Sequence, residues 1–314
     1  MRLEAQVRSV GGWALLWGAL TGGNVLNAQS PTVAERLGYP KDAKLLILHA
    51  DDLGMAHGID LASFEALQNH DVSSASAMVP CPWIVEVAEY ANNHPEADIG
   101  LHLTLNSEWF TYRWGPVAPR SAVTGLLDPQ GYFYYQSPGT VEKGQAEEAE
   151  KEIRAQVEQA LRLGLHPTHL DAHENTLYER RDFYQALLRV AQQYNLPILA
   201  RQKEPWASGW SAPLSPQEVK LAGLFVLHEG AKPDGWEQNY LRMLDEVKPG
   251  LNDMIFHLGY DDPELEAITA GYNHHDAKWR QRDFDVVRTA EFKEALRRNQ
   301  IVVVTWRDIS RSFR

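Results

Sequence analysis

The sequence predicts an α/β fold, a TIM-like (β/α) barrel with seven or eight parallel strands. From residue 44 onward, short apolar runs alternate with helical stretches, and repeated strand–helix units are typical of a parallel sheet with crossover helices. About eight units over roughly 270 residues fit a barrel of this kind. A doubly wound open sheet is the alternative, but no G-x-G-x-x-G motif follows the first apolar run to indicate dinucleotide binding.

The predicted elements follow one another in a regular order. The strands are expected at 45–49, 74–79, 98–105, 169–171, 197–200, 221–227, 253–258 and 301–306. Helical spacing marks 60–69, 84–92, 141–163 and 181–194, and Gly164 suits the end of the third helix. Three segments rich in aromatic residues interrupt the alternation, at 106–138, 202–213 and 261–285. Long loops in a compact domain are usually functional, and in a barrel the loops that follow the strands build the active face.

The composition excludes several classes of protein. The 314-residue chain is 44% hydrophobic and 23% charged, which is enough apolar material for a full core. Its formal charge of −12 leaves no basic surplus for a nucleic acid or an anionic membrane. The single cysteine, Cys81, excludes an intramolecular disulfide and a cysteine metal cluster.

Residues 1–28 differ from the rest and predict a cleaved signal peptide. Arg2 and Arg8 precede an apolar stretch at 13–20, which is too short to span a membrane, and Ala28 suits the residue before a cleavage site. We therefore expect a secreted or periplasmic protein with a single (β/α)-barrel domain over residues 29–314. An uncleaved leader would instead indicate a cytoplasmic protein. No later run is long and apolar enough to cross a membrane.

Polar residues recur where the predicted strands end. Two adjacent buried carboxylates raise each other's pKa, so an acid pair at the end of a buried strand indicates a bound cation or chemistry. In a parallel barrel the strand ends converge on one face, which brings distant residues together. The residues at these ends are Asp51 and Asp52, His102, then His169, Asp171 and His173, then Arg201 and finally His257.

One carboxylate and two imidazoles form a ligand set for a catalytic divalent metal with open positions for water. Asp52, His102 and His173 are the expected ligands. Asp51, beside them, fits a general base, and His257 fits the donor of a proton to the leaving group. The residues expected to orient the ligands are His49, His169 and Asp171.

Other interpretations of the same residues stay open at this point. The acid pair can belong to a helix N-cap, since Gly54 and a helix follow it. A lone strand histidine such as His102 is often a hydrogen-bonded core residue, and the H-x-D-x-H pattern can be the polar face of a strand. His274 and His275 are expected to be solvated loop residues.

Three motifs together carry a resemblance to a known family. ADDLGM at 50–55, DIGLHLTLN at 98–106 and HPTHLDAHEN at 166–175 resemble the YdjC-like carbohydrate deacetylases, which include the ChbG and HpnK types. The resemblance runs from about residue 45 to about residue 306. It implies a TIM-like barrel that removes acetyl groups from N-acetylated sugars with a divalent ion, usually magnesium. It also implies that Asp51 is the base and that Asp52, His102 and His173 hold the metal, and His257 matches a late histidine of the family.

The chain departs from the family pattern in two places. Glu174 and Asn175 follow His173 where a further histidine is common, and the aromatic insertion after Asn106 is longer. On ligand chemistry alone, two imidazoles favour Zn²⁺ or another transition ion over Mg²⁺.

The predicted function is a metal-dependent deacetylase acting on an acetylated oligo- or polysaccharide. Aromatic residues of the inserted segments are candidates to stack on sugar rings, or alternatively to pack the loops against the barrel rim. One rival is a different metal-dependent hydrolase, a phosphoesterase or amidohydrolase; a phosphoesterase would need more cations than Arg201 supplies. A second rival is a non-catalytic saccharide-binding protein. The aromatic candidates are Trp109, Tyr112, Trp114, Trp206 and Trp210.

Overall fold

The computed structural model describes residues 31–200, 215–272 and 274–312. The predicted signal peptide at 1–28 lies outside these ranges, as do Arg201, Trp206 and Trp210. The roles proposed for those residues therefore stay predictions.

Within the described residues, nine parallel strands form one sheet in the order β6-β5-β4-β3-β2-β1-β8-β7, with β9 paired to β1. The predicted α/β class with a parallel sheet is confirmed. The strands are β1 (Lys44–Leu53), β2 (Ser74–Ala77), β3 (Ile99–Leu103), β4 (Leu170–Ala172), β5 (Ile198–Ala200), β6 (Glu218–Lys220), β7 (Gly223–Val226), β8 (Gly250–Phe256) and β9 (Ile301–Val303).

Helices connect the strands, and short 3₁₀ turns occur at Arg120–Ala122, Thr124–Leu126 and His173–Tyr178. None of the described helices combines the length and the hydropathy that a membrane crossing needs. The helices are α1 (Val33–Arg36), α2 (His57–Gln68), α3 (Ile84–Asn93), α4 (Ser137–Lys143), α5 (Ala146–Arg162), α6 (Arg181–Tyr194), α7 (Trp236–Asp245), α8 (Pro263–Ile268), α9 (Ala277–Val287), α10 (Ala290–Arg298) and α11 (Trp306–Ser312).

Strand β1 is the centre of the sheet and is paired along both edges. β8 runs beside it from Lys44, opposite Gly250, to Ala50, opposite Phe256. On the other edge, β9 pairs with the first half of β1 and β2 pairs with the second half. Both edges and both faces of β1 are covered. The first part of its sequence is therefore a nearly continuous apolar run, as is typical of a buried parallel strand.

The sheet curls, but within the described ranges no strand pairing joins its two ends, β6 and β7. These short strands are separated by only Leu221 and Ala222. β6 pairs with β5, whereas β7 pairs with β8, so a single bent stretch of chain meets both edges. A TIM-like barrel would instead pair one continuous strand on both sides. The predicted sixth strand at 221–227 therefore covers only the second half of this stretch.

The predicted helix at 141–163 is divided into α4 and α5 at Gly144. A Cβ atom at this position would lie 2.7 Å from the Thr140 carbonyl oxygen and 2.8 Å from Leu126 Cδ2. Glycine is therefore required by the close approach of neighbouring chain, and the backbone becomes extended there. The composition of the segment favours a helix throughout, which is why the break was not predicted.

The expected loop at 261–285 is wrong, because it contains α8 and most of α9. Each helix begins at an aspartate N-cap: Asp262 accepts a hydrogen bond from the Leu265 amide, and Asp276 accepts one from the Trp279 amide. Aspartate satisfies the free amides of a first helical turn. These caps were visible in the sequence, but the aromatic and histidine content of the segment favoured a loop.

Candidate active site

Asp51 and Asp52 lie inside β1, where the alternation of a regular strand would point them to opposite faces. The pairing of β1 with β2 shifts register between Ala50 and Leu53, and Asp52 has a φ of 72°. A bulge containing a left-handed residue therefore interrupts the alternation, and both carboxylates line the same cavity. The helix-cap interpretation is wrong, since the N-cap of α2 is Ala56.

Each of the two adjacent acids faces its own buried cationic partner. Arg280 Nη2 donates a hydrogen bond of 2.7 Å to Asp52 Oδ2, and His49 Nε2 lies 3.1 Å from Asp51 Oδ1. Burial raises the pKa of Asp52, but Arg280 and His173 outweigh burial and hold it well below its usual value. Burial also lowers the pKa of His49, yet its contacts with Asp171 and Asp51 raise it well above its usual value.

The three predicted metal ligands come together beside Asp51. Asp52 Oδ1 is buried and makes no hydrogen bond. It lies 3.3 Å from His173 Nδ1 and 3.5 Å from His102 Nε2, and ligand atoms of the three residues lie within 4.8 Å of one another. A carboxylate oxygen and two imidazole nitrogens that converge on one point fit a divalent cation.

The remaining nitrogen of each histidine is held by a carboxylate. His102 Nδ1 donates to Asp171 Oδ1 at 2.7 Å, and His173 Nε2 donates to Glu108 Oε2 at 3.0 Å. Metal-binding histidines commonly donate to such carboxylates, which fix the ring and its tautomer. The sequence pointed to Asp171 as an orienting residue but missed Glu108, an acid within the aromatic insertion.

The chain turns sharply after His173. Glu174 and Asn175 have φ values of 47° and 60°, which places both residues in the left-handed region. Asn106 Nδ2 donates to Glu174 Oε2 at 2.7 Å, and Thr176 donates to Asn106 Oδ1 at 3.1 Å. Glu174, which departs from the family pattern, and Thr176 thus connect the turn after His173 to the start of the aromatic insertion.

His257 follows β8 and lines the cavity. Its backbone amide donates to Asp283 Oδ2 at 3.1 Å, and its ring lies 4.1 Å from that of His275. Burial lowers the pKa of His257 to about 4 against the opposing effect of Asp52, so the ring is neutral at neutral pH. His274 and His275 lie in a loop and are partly exposed, as expected, and both also line the cavity.

The predicted tryptophans of the insertion are buried, and Trp109 also lines the cavity. Trp109 is 2% exposed and directs its indole N–H toward Met55 Sδ at 3.1 Å. Trp114 donates to the Asn106 carbonyl at 2.9 Å, and the Tyr112 hydroxyl donates to the Met55 carbonyl. Phe110 is more exposed than these residues, with 59% of its surface accessible. The conformation of the loop decides which aromatic residue of the insertion faces the solvent. The amino-acid composition does not predict that conformation.

The cavity has a volume of about 690 Å³ and is lined by both polar and apolar residues. The acids and histidines described above supply polar groups, and Leu199, Leu224 and Val226 contribute apolar surface. A concave site with apolar lining and a few convergent polar groups is typical of small-molecule binding. Arg280, which also lines the cavity, was missed because it lies on α9 and not at a strand end.

Comparison with known families decides the classification. The model of the YdjC-like proteins matches residues 45–298. The chain belongs to this family. The YdjC-like resemblance inferred from the three motifs is therefore confirmed.

Two curated relatives and one solved structure show what this YdjC-like chain is similar to. A carbohydrate deacetylase of Thermus thermophilus is 30% identical over 282 residues, covering 88% of this chain and 97% of that protein. A chitooligosaccharide deacetylase of Yersinia enterocolitica is 27% identical, covering 73% of this chain and 86% of that protein. A crystal structure from Enterococcus faecalis, described as a cellobiose-phosphate cleavage protein, superposes with a TM-score of 0.72 at 26% identity, covering 84% of this chain and 98% of that one.

Proposed function

We propose that this YdjC-like protein is a metal-dependent hydrolase that removes acetyl groups from N-acetylated or O-acetylated oligo- or polysaccharides. The observation that carries the proposal is the convergence of Asp52, His102 and His173 beside Asp51 in a cavity large enough for a sugar. The names of the relatives, carbohydrate deacetylase and chitooligosaccharide deacetylase, support an acetylated saccharide as the substrate.

Asp51 is suited to take a proton from the attacking water. Its Oδ1 atom is engaged by His49, while its Oδ2 atom lies 3.8 Å from His102 Nε2, beside the ligand set. A divalent ion, when bound, supplies a Lewis acid that polarises the acetyl carbonyl and acidifies water. Because that assistance makes the water a stronger acid, a carboxylate is a sufficient base.

The departing amine needs a proton when its bond to the acetyl carbon breaks. His257 lines the cavity, but with a pKa of about 4 its ring holds no spare proton at neutral pH. His257 therefore donates only after it has accepted a proton, namely the one that Asp51 has taken from the attacking water earlier in the same turnover. The products are acetate and the free amine.

The purified protein is expected to release acetate from at least one acetylated saccharide when it is loaded with Mg²⁺ or Zn²⁺. A screen with chitooligosaccharides, peptidoglycan fragments and acetylated plant polysaccharides tests this, and metal analysis of the same sample identifies the ion. A chelator should abolish release and added metal should restore it. Activity that survives exhaustive chelation would exclude the metal mechanism. Phosphate release from sugar phosphates without any acetate release would favour a phosphoesterase.

Phe110 is positioned to stack on a sugar unit outside the catalytic cavity. Its ring is stacked against Tyr135, with centroids 5.2 Å apart and an interplanar angle of 19°. It also contacts Tyr272 at 5.1 Å, and Tyr272 lines the cavity. An exposed aromatic face supported from behind and adjoining the cavity offers a flat apolar surface to a neighbouring pyranose ring.

Phe110→Ala is expected to lower kcat/KM for long oligosaccharides while leaving the disaccharide unaffected. An aromatic stacking contact contributes about 0.5–1.5 kcal/mol, which corresponds to about a two- to twelvefold change. Tyr39→Ala is the matched control, because Tyr39 is 37% exposed and precedes the start of β1, at the opposite end from the acids. Equal losses on short and long substrates, or no loss at all, would contradict this role for Phe110.

A further inference from the structure

We propose that His49 is a positioning residue that holds the Asp51 carboxylate in a fixed orientation toward the expected metal ligand His102. This inference rests on the proposed function for its catalytic part, because Asp51 is the proposed base there. No motif that identified the family assigns a role to His49.

His49 is a buried residue of the sheet that also contributes to the cavity lining. It precedes Asp51 by two residues on β1, so both side chains point to the same face. Its side chain is almost completely buried. His49 Nε2 lies 3.1 Å from Asp51 Oδ1, 3.2 Å from Asp171 Oδ2 and 3.1 Å from Ser76 Oγ.

These contacts close a cycle of two histidines and two aspartates, which we call the His-Asp cycle. From His49, one branch passes through Asp51, whose Oδ2 lies 3.8 Å from His102 Nε2. The other branch passes through Asp171, whose Oδ1 accepts from His102 Nδ1 at 2.7 Å. His102 and His49 thus occupy opposite corners of the cycle. His102 belongs to the ligand cluster, and His49 holds the two carboxylates from behind.

The arrangement explains how two buried carboxylates keep fixed positions. Asp51 and Asp171 are 5% and 8% exposed, and buried carboxylates are stable only when they are paired and hydrogen-bonded. A donor at His49 Nε2 faces one oxygen of each carboxylate and leaves the other oxygen directed at His102. Without that donor, Asp171 keeps its hydrogen bond from His102, whereas Asp51 Oδ1 keeps the longer contact with the Ser76 hydroxyl at 3.4 Å. The direction of the proposed base relative to the ligand cluster is then poorly fixed.

His49→Leu removes the donor and His49→Gln keeps one on a side chain of similar reach. We expect His49→Leu to lower kcat about 10- to 100-fold at saturating metal, as removal of a partner outside the ligand set commonly does, with KM within about twofold. His49→Gln should recover most of kcat. Ser76→Ala, which removes the hydroxyl that contacts both His49 and Asp51, should cause a smaller loss of the same kind. It keeps the inference testable if His49→Leu does not fold.

A second measurement does not depend on the substrate. Bound Co²⁺ has a visible absorption spectrum that reports the geometry of its ligands. His49→Leu should bind one Co²⁺ per chain with a shifted spectrum, and His49→Gln should restore the wild-type spectrum. If the wild type releases no acetate from any saccharide, the proposed function fails, while the spectra still decide the role of His49.

Three outcomes would overturn the inference. Unchanged kcat and an unchanged spectrum in His49→Leu would show that the cycle does not position Asp51. Equal defects in folded His49→Leu and His49→Gln would show that the donor is irrelevant. Two bound ions in the wild type and one in His49→Leu would make His49 a ligand of a second ion, formed with His169 and Asp171.

Discussion

Asp51→Asn is expected to lower kcat by about 10²- to 10⁴-fold, the usual contribution of a positioned general base, while the protein still binds its metal. The ligand cluster of Asp52, His102 and His173 does not require Asp51. The amide keeps the size and much of the hydrogen bonding of the carboxylate, but it cannot accept a proton from water. Acetate release and metal content should both be measured on the same sample.

Asp253→Asn is the matched control for this substitution. Asp253 is a second buried carboxyl that lines the cavity, but it belongs to none of the histidine–carboxylate clusters of the described residues. We expect it to change kcat far less than Asp51→Asn does. If Asp51→Asn loses its metal, then Asp51 is a ligand and the base must lie elsewhere.

His173→Ala should lose the metal and therefore all metal-dependent turnover. It removes one of three convergent ligands, and Asp52 Oδ1 then keeps only His102 Nε2 at 3.5 Å. Metal affinity should fall by more than about 100-fold, since loss of residues outside the ligand set alone commonly costs about 10- to 100-fold. Metal content after dialysis against a buffered metal concentration measures the change.

His169→Ala distinguishes the role of His169 from that of His173, the other histidine of the H-x-D-x-H motif. The His169 ring stacks on Trp306, with centroids 4.9 Å apart, and its Nδ1 atom lies 3.0 Å from the Thr168 hydroxyl. We expect this variant to unfold more easily than the wild type but to bind metal with unchanged stoichiometry. If His173→Ala kept full metal occupancy and His169→Ala lost its metal, then His169 would be the metal ligand and His173 would have the structural role.

Most of the described residues that the sequence analysis grouped together lie in the last part of a parallel strand or directly after it. Because these ends meet at one edge of the sheet, Asp52, His102 and His173 were predictable as neighbours without any structure. Arg280 was not, since it reaches Asp52 from a helix 228 residues away in sequence. Glu108 was hidden for a similar reason, because its position depends on the conformation of an irregular insertion.

The sequence predicted the fold class and the positions of most strands. It did not predict the places where a strand or helix is interrupted. The bend between β6 and β7 and the break at Gly144 both depend on neighbours that are distant in sequence. The bulge at Asp52 belongs to the same group. Strand periodicity predicts that adjacent acids point apart, and only a left-handed residue at a shifted register lets both face one cavity.

The position of β1 in the sheet has a consequence for the order of folding. Its early residue Lys44 pairs with Gly250 and with Ile301, so the first half of the central strand obtains its neighbours only from late in the chain. Long loops must close before such contacts form, and sheets of this kind fold slowly. During synthesis, the apolar edge of β1 is therefore exposed until the last strands leave the ribosome, the period in which unpaired edges aggregate. We expect chains that end before β9 to accumulate as insoluble protein rather than as a folded core.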